Sequence, residues 1–512
     1  MTAVTAPVRH RIPRVTGAVP INAARLLGVE LRRNTMPWIL PLIAVLFWFD
    51  SYRPSTGTSP LYGLRTFWNM GQGHTIIDFG PFVAGVAAWM GSRDGRRGLA
   101  DLVTATPRPR WVAQLVTWAA TAIWAVAAYL ACVGAMFAIY AHQGVGGTPP
   151  WWWVGVGVAA VTAFSAVGFA IGAYWPNRFA APVAAFGGFL AMFLSSQTGF
   201  THQSGWALIL PTNSYDDFVG SSQTDSGIFY PWVPDVPIAR IMLLAGIAIA
   251  ALGLTGLPAR AGGRWLRRGA AVVTLAGVAL AGTAVGLAGT ARESVEGAVI
   301  PALHDAASDA PISYTPVCGS AAGTSVCLNP AYGRWLPDVT AGLAPVLAEV
   351  AGLPGAPART TQVAASYPSG GDGPPVPMTF GGDPPALRLQ LGILNMPGAC
   401  GFCGRVTAQQ FTDQIRLLFA HAFVGAGGAP GSPVQQAVQA ALLQDAGIPI
   451  AAQPTLMRHT ENYPGAEKGP ATGPVYAAAR RLAALPAAAR HAWLATHLAA
   501  VRAGQLSLGD LP

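Results

Sequence analysis

Charge is what this 512-residue sequence has least of: Asp, Glu, Lys and Arg make up 10% of it, where a soluble globular chain carries about 25%. With 52% hydrophobic residues and a mean hydropathy of +0.41, that scarcity excludes a wholly soluble protein and a disordered one. Lysine is nearly absent. Lys468, the only one, sits in AEKGPATG, so the chain lacks the G-x-x-x-x-G-K-[ST] loop that cradles phosphates and is not itself a P-loop ATPase. H-E-x-x-H and G-x-S-x-G are missing too, which removes the commonest local signatures of a metallopeptidase and a serine hydrolase. The first 35 residues hold six Arg and no apolar h-region, and do not read as a cleavable signal peptide.

The formal net charge is +9, a sign that invites nucleic acid as partner. Its distribution argues otherwise. Residues 1–290 carry 19 Arg against 9 acids, a balance of +10, whereas residues 291–512 carry 12 basic against 13 acidic side chains, a balance of −1. The excess lies wholly in the half with long apolar runs, where a membrane protein concentrates positive charge on the cytoplasmic side.

A membrane span needs about 20 apolar residues, and seven candidates appear: Met36 to Ser51, Thr75 to Met90, Trp111 to Tyr140, Trp151 to Trp175, Phe179 to Ser195, Ile238 to Leu257 and Ala270 to Thr290. Arg9, Arg11, Arg14, Arg25, Arg32 and Arg33 precede the first. Arg93, Arg96, Arg97, Arg108 and Arg110 lie between the second and third, Arg178 after the fourth, and Arg260, Arg264, Arg267 and Arg268 between the sixth and seventh. All fall on one side if the N-terminus is cytoplasmic. Seven spans then put residues 291–512 outside the cell. Trp38, Trp48, the Trp151-Trp152-Trp153 run and Trp175 fall near span ends as an aromatic belt. Gly168 with Gly172 and Gly282 with Gly286 are G-x-x-x-G pairs for close helix contact. Asp50, Asp78 and Arg240 lie near span ends, within reach of the interface.

The stretch Gly91 to Arg110, GSRDGRRGLADLVTATPRPR, is the most informative. Leu99, Leu102 and Val103 fall at i, i+3 and i+4, so a short helix presents one apolar edge while its Arg residues face water or lipid phosphate. Pro107 and Pro109 end that helix. This segment resembles the cytoplasmic loop between spans two and three in permease subunits of ABC-2 type transporters, whose pattern is R-x-x-G-(T/L)-x-(D/E)-L-(L/V)-x-T-P-x-x-R. Arg93, Arg96, Arg97, Gly98, Leu99, Asp101, Leu102, Val103, Thr106, Pro107 and Arg110 carry the resemblance, with a compressed Arg-to-Gly spacing and Ala105 in the TAT-P run. Ala23 to Arg33, AARLLGVELRR, is similar to the family's connecting helix on the inner leaflet, and its Arg25, Arg32 and Arg33 suit anionic lipid. The long loop 197–237 is similar to the family's large outer loop.

The resemblance implies an α-helical membrane protein of the cell membrane. Residues 1–35 form a cytoplasmic segment with the connecting helix. Residues 36–257 form a six-span core with coupling loop 91–110 and outer loop 197–237. Residues 258–290 add a basic loop and a seventh span, and residues 291–512 form an extracytoplasmic domain. It also implies an exporter subunit that docks through loop 91–110 on a separate ATPase chain, paired as a homodimer or heterodimer of permease chains. No cofactor, metal or catalytic residue is expected on this chain. The competing expectation is a membrane anchor that displays an extracytoplasmic sensor or binding domain without transport.

Residues 291–512 read as a soluble α+β domain. Helices are expected over Leu336 to Leu353, Thr407 to Val424, Val434 to Asp445 and Tyr476 to Ala503, the last broken at Pro486, and strands over Thr361 to Ser366, Val376 to Phe380 and Leu387 to Leu394. Cys318 and Cys327 bracket a short loop, and Cys400 and Cys403 form a C-x-x-C. Outside the membrane such thiols pair as disulfides, and of three connectivities the local one, Cys318 with Cys327 and Cys400 with Cys403, is favoured over a four-thiolate zinc site or a redox motif. Cys132, inside the third span, is a buried small hydrophobe. His421, His459, His491 and His497 read as surface or core residues rather than ligands.

Overall fold

The computed structural model describes residues 23–51, 74–98, 110–142, 148–149, 151–201, 208–210, 227–257, 263–294, 297–364, 379–381, 386–390, 408–425, 431–454 and 473–512. All seven apolar runs are helical. Among the described residues four helices are long and apolar enough to cross a membrane: α5 (Arg110–His142), α6 (Trp151–Tyr174), α8 (Asp235–Gly256) and α9 (Gly263–Ala288). The shorter apolar helices are α2 (Met36–Ser51), α3 (His74–Gly91) and α7 (Ala180–Thr201). Ahead of them lies α1 (Ala23–Arg33), and between α3 and α5 the single turn α4 (Arg93–Arg96). Prolines 41 and 81 sit inside α2 and α3, where each removes a backbone donor from the helix ladder.

Small residues decide how these helices meet. A Cβ at Gly168 or Gly172 of α6 would collide with the carbonyl oxygens of Ala84 and Ala88 of α3, so the G-x-x-x-G pair lets the two backbones touch. Helices α8 and α9 are closed by the same device, with Gly246 and Gly253 against Gly277, Thr274 and Ala281. The second expected pair does not work this way. A Cβ at Gly282 or Gly286 would meet nothing within 4 Å; the stripe of α9 that faces α8 runs Ala270, Thr274, Gly277 and Ala281, and residue 282 lies about 100° around the helix from residue 281.

Two other expectations need correction. Arg240 does not reach the interface: it is 1% exposed, its guanidinium lies 5.3 Å from the Trp153 ring centroid, and it donates to the Leu208 carbonyl. Burial beside an aromatic face and a carbonyl replaces the water a snorkelling side chain seeks. Trp153 itself is buried at 4% exposure, while Trp38, Trp48, Trp151, Trp152 and Trp175 are exposed as a belt requires. Asp50 and Asp78 lie in helices, their side chains outside the described ones.

Beyond α9 the chain forms a two-stranded antiparallel ribbon, β1 (Arg292–Ser294) with β2 (Gly297–Val299), and then an α+β unit. Its five-stranded mixed sheet has the order β3-β4-β5-β7-β6, built from β3 (Val317–Ala321), β4 (Thr324–Leu328), β5 (Arg359–Val363), β6 (Thr379–Gly381) and β7 (Ala386–Gln390). The loop expected between Cys318 and Cys327 is instead a tight hairpin. These two cysteines face each other across it and form a disulfide. Alternation of small polar residues with short apolar ones hid both strands from the sequence reading. Cys400 and Cys403 lie outside the described residues. Cys132, expected to be buried, is half-buried and takes no part in the disulfide.

Strands β4 and β5 are parallel, joined by α10 (Leu336–Val350), whose Val339, Leu343, Val346, Leu347 and Val350 keep helical spacing and are buried. Helices α11 (Ala408–Val424) and α12 (Pro433–Asp445) continue the core, and Ser432 with Gln435 forms a capping box at the start of α12. The last two, α13 (Pro474–Ala483) and α14 (Ala487–Arg502), are separated at Pro486. Arg490 of α14 ties the unit together: its guanidinium is 3.1 Å from Glu349 of α10 and 3.0 Å from Asp445 of α12.

Candidate coupling site

The Arg-bearing connections gather at one end of the helical bundle. Here α3 ends against α6, since a Cβ at Gly91 would strike the Phe169 carbonyl. The start of α5 and the end of α6 are both held to the end of α8, Trp111 Nε1 donating to the Leu252 carbonyl at 3.1 Å and the Tyr174 hydroxyl to that of Leu254 at 2.6 Å. Exposed Arg178 and exposed Arg264, Arg267 and Arg268 of α9 follow at this end, so the described basic side chains among those assigned to one side share one end of the structure; Arg9, Arg11, Arg14, Arg108 and Arg260 lie outside the described residues.

Helix α4 is the described part of the loop 91–110. Arg93 donates through both terminal nitrogens to the two oxygens of Glu30 in α1, each at 3.0 Å, a two-pronged pair that fixes orientation as well as charge. Glu30 accordingly holds the Arg93 guanidinium above its ordinary pKa, first through these hydrogen bonds. Arg96 folds back on α3: Nε donates to Ser92 Oγ at 3.0 Å, a terminal nitrogen donates to the Trp89 carbonyl at 2.9 Å, and the guanidinium lies 3.4 Å from the Trp89 ring centroid. Burial, with Arg97 alongside, lowers its pKa. Gly95 packs so closely on Pro176, in the α6–α7 connection, that a Cβ there would overlap the ring. Gly98 then takes φ +65°, a left-handed geometry that stops a helix and that glycine adopts without strain. Arg97 is left exposed.

Helix α1 is anchored in turn. The Trp124 indole donates to the Leu31 carbonyl at 3.0 Å. Asn34, buried between α1 and α2, donates to Thr121 Oγ1 at 2.9 Å and accepts from Met36 N, the first residue of α2, at 2.9 Å. Force applied to α4 therefore reaches α3 through Arg96, α5 through α1, and the α6–α7 connection through Pro176. Of the sequence-derived loop residues, Arg93, Arg96, Arg97 and Gly98 share this turn and Arg110 opens α5. Leu99, Asp101, Leu102, Val103, Thr106 and Pro107 lie outside the described residues.

Sequence reasoning missed Glu30, Asn34, Gly95 and Pro176. A signal existed for one: Glu30 is the only acidic side chain in the first 49 residues, an anomaly among six Arg that demands a partner. His491 and His497 bond the carbonyls of Ala351 and Trp493 at 2.8 and 2.9 Å, burial lowers the pKa of His421, and His459 lies outside the described residues. Among the described residues no three His, Cys, Asp or Glu side chains converge as metal ligands would. No protein-family model, no curated protein and no solved structure matches this chain.

Proposed function

We propose that this chain is the membrane-spanning permease subunit of an ATP-driven ABC exporter, with six core spans, a seventh span and an extracytoplasmic α+β domain. Its N-terminus is cytoplasmic, two such chains pair as homodimer or heterodimer, and ATP is hydrolysed on separate chains that dock at the basic end. The observation that carries the reading is the bracing of α4: one half-buried basic turn, followed by exposed Arg97, bound by Glu30 to α1, by Arg96 to α3 and by Gly95 to the α6–α7 connection. A stop signal for membrane insertion needs only positive charge. A turn built to receive a push needs rigid attachment to several helices.

An anchor for an outer domain is the second reading, and the packing speaks against it. Helix α3 lies against α2, α5, α6 and α7, a bundle more elaborate than attachment requires. The test is recovery of the chain from native membranes in mild detergent. A P-loop ATPase should co-purify in about equal amount and survive deletion of residues 291–512; its absence from the full-length chain would refute the permease reading.

A further inference from the structure

At the opposite end of the bundle the α+β unit is held to the helices through residues 227–235 on one side and 300–314 on the other. Part of this seam is apolar and insensitive to pH: Ile312 N donates to the Phe229 carbonyl at 2.7 Å, and the Phe229 ring lies 5.7 and 6.2 Å from Tyr314 and Tyr332. The other part is ionic. Asp235, the first residue of α8, is fully buried, and its Oδ2 accepts from Ile300 N at 2.7 Å. Ile300 heads a turn in which the amides of Leu303 and His304 bond back to its carbonyl, bringing His304 Nδ1 to 3.4 Å from Asp235 Oδ2. The other ring nitrogen, Nε2, sits 3.0 Å from Asp309.

One imidazole thus stands between two carboxylates, each facing a different ring nitrogen. Imidazolium has two N–H donors, one hydrogen-bonded to Asp309 and one held as an ion pair 3.4 Å from Asp235; neutral imidazole has one and turns a lone pair toward the other carboxylate. That loss is costly at Asp235, whose Oδ1 is already buried without a hydrogen-bond partner. The charged groups on the elements packed here, among the described residues, are Asp235 and Arg240 of α8, Arg292 of β1, and Asp305 and Asp309 of the 300–309 strap. Arg240 is engaged by Leu208 and Trp153, Arg292 is exposed, and Asp305 accepts from Ala307 N at 3.0 Å. Among the described residues, Asp309 and Asp235 are the charges that act on His304.

We propose that His304 is a pH-responsive latch: protonated, it clamps the 300–309 strap to Asp235 at the head of α8, and deprotonated it releases the strap and loosens the α+β unit from the helices. The sign follows from the pair. Hydrogen bonding to Asp309, and then the charges of Asp309 and Asp235, raise the His304 pKa. The clamp is therefore complete below about pH 6.5, the ordinary histidine value, and is lost as pH rises through the higher value of the folded protein. It operates whether or not the chain transports anything.

Hydrogen exchange on the full chain in detergent, read as protection after correction for the intrinsic pH dependence of exchange, tests this between pH 6 and 8.5. Protection of residues 300–310 should fall about tenfold across that window, the scale of one lost charge-assisted hydrogen bond, while the Ile312 amide stays constant. His304→Gln should hold the strap at the unprotected level at every pH. Asp309→Asn, at a side chain 39% exposed and so tolerant of change, should move the transition to lower pH. Constant protection in the unmodified chain, an unchanged pH response in His304→Gln, or an unmoved transition in Asp309→Asn would each overturn the latch.

Discussion

The two halves of this chain are held together by different means. In the bundle, where large side chains such as Phe79 and Tyr129 also pack, the closest helix contacts are made by residues with almost no side chain, Gly168, Gly172, Gly246, Gly253 and Gly277. In the α+β unit they are made by large ones, such as Leu343, Leu347, Phe411, Phe419 and Leu442. The difference follows from solvent. In water, burying apolar area drives packing at about 25 cal/mol per Å². In lipid that drive vanishes between helices, and stability rests on close backbone approach. Large apolar side chains accordingly point outward from the bundle, among them Trp38, Phe186 and Val272, whereas no large hydrophobic of the described α+β unit is prominently exposed.

Reversing side-chain size in each half should break the two halves in opposite directions. Gly172→Leu drives a side chain into the Ala88 carbonyl and should cost about 4 kcal/mol or more, read as loss of the unfolding transition in detergent. Gly282→Leu, facing open space, should fall within about 0.5 kcal/mol of the original. Leu343→Ala in the α+β unit should cost about 3 kcal/mol through the cavity it leaves. Equal effects of the two glycine substitutions would contradict the packing account.

Electrostatics adds to the contrast, because the α+β unit sets Arg490 between Glu349 and Asp445 at its helix ends. Burial, reinforced by Glu349 and opposed by Arg490, pushes Asp445 up to about 6, above the ordinary 3.9. The folded unit then binds more protons than the unfolded chain between these values, and its stability should fall as pH rises from about 4 to 6, by on the order of 2 kcal/mol. Asp445→Asn should flatten that slope in denaturant titrations at successive pH values. One further substitution should bring a gain. Ala322 turns the β3–β4 hairpin with φ +48° beside Gly323 at +81°, a geometry that favours Asn-Gly. Ala322→Asn should stabilise the unit by about 1 kcal/mol, seen as a higher melting temperature.

Apolar helices were legible in the sequence because a run of 16 or more hydrophobic residues admits few alternatives, and α2 begins and ends where the composition changes. Helices of the α+β unit were legible through heptad-like spacing and the break at Pro486. Its strands were harder. Residues 317–328, VCGSAAGTSVCL, are short, small and half polar, and only pairing across the Ala322-Gly323 turn makes them a ribbon. At the coupling site the Arg cluster could be read directly. Its partners could not: Glu30 and Arg93 are 63 residues apart, and nothing local in either stretch announces the other. Asp235 and His304 illustrate the same limit, since a lone acid and a lone histidine carry meaning only once a turn brings them together.

The central claim is that the braced turn α4 receives an ATPase, and the most direct measurement is site-specific photo-crosslinking from position 97 in cells that express the chain with its native neighbouring genes. A photoreactive residue replacing Arg97 should form an adduct with a P-loop ATPase, and one replacing Gly323, at the hairpin of the α+β unit, should not. Absence of an ATPase adduct from position 97 in a chain that is otherwise folded and membrane-inserted would contradict the account.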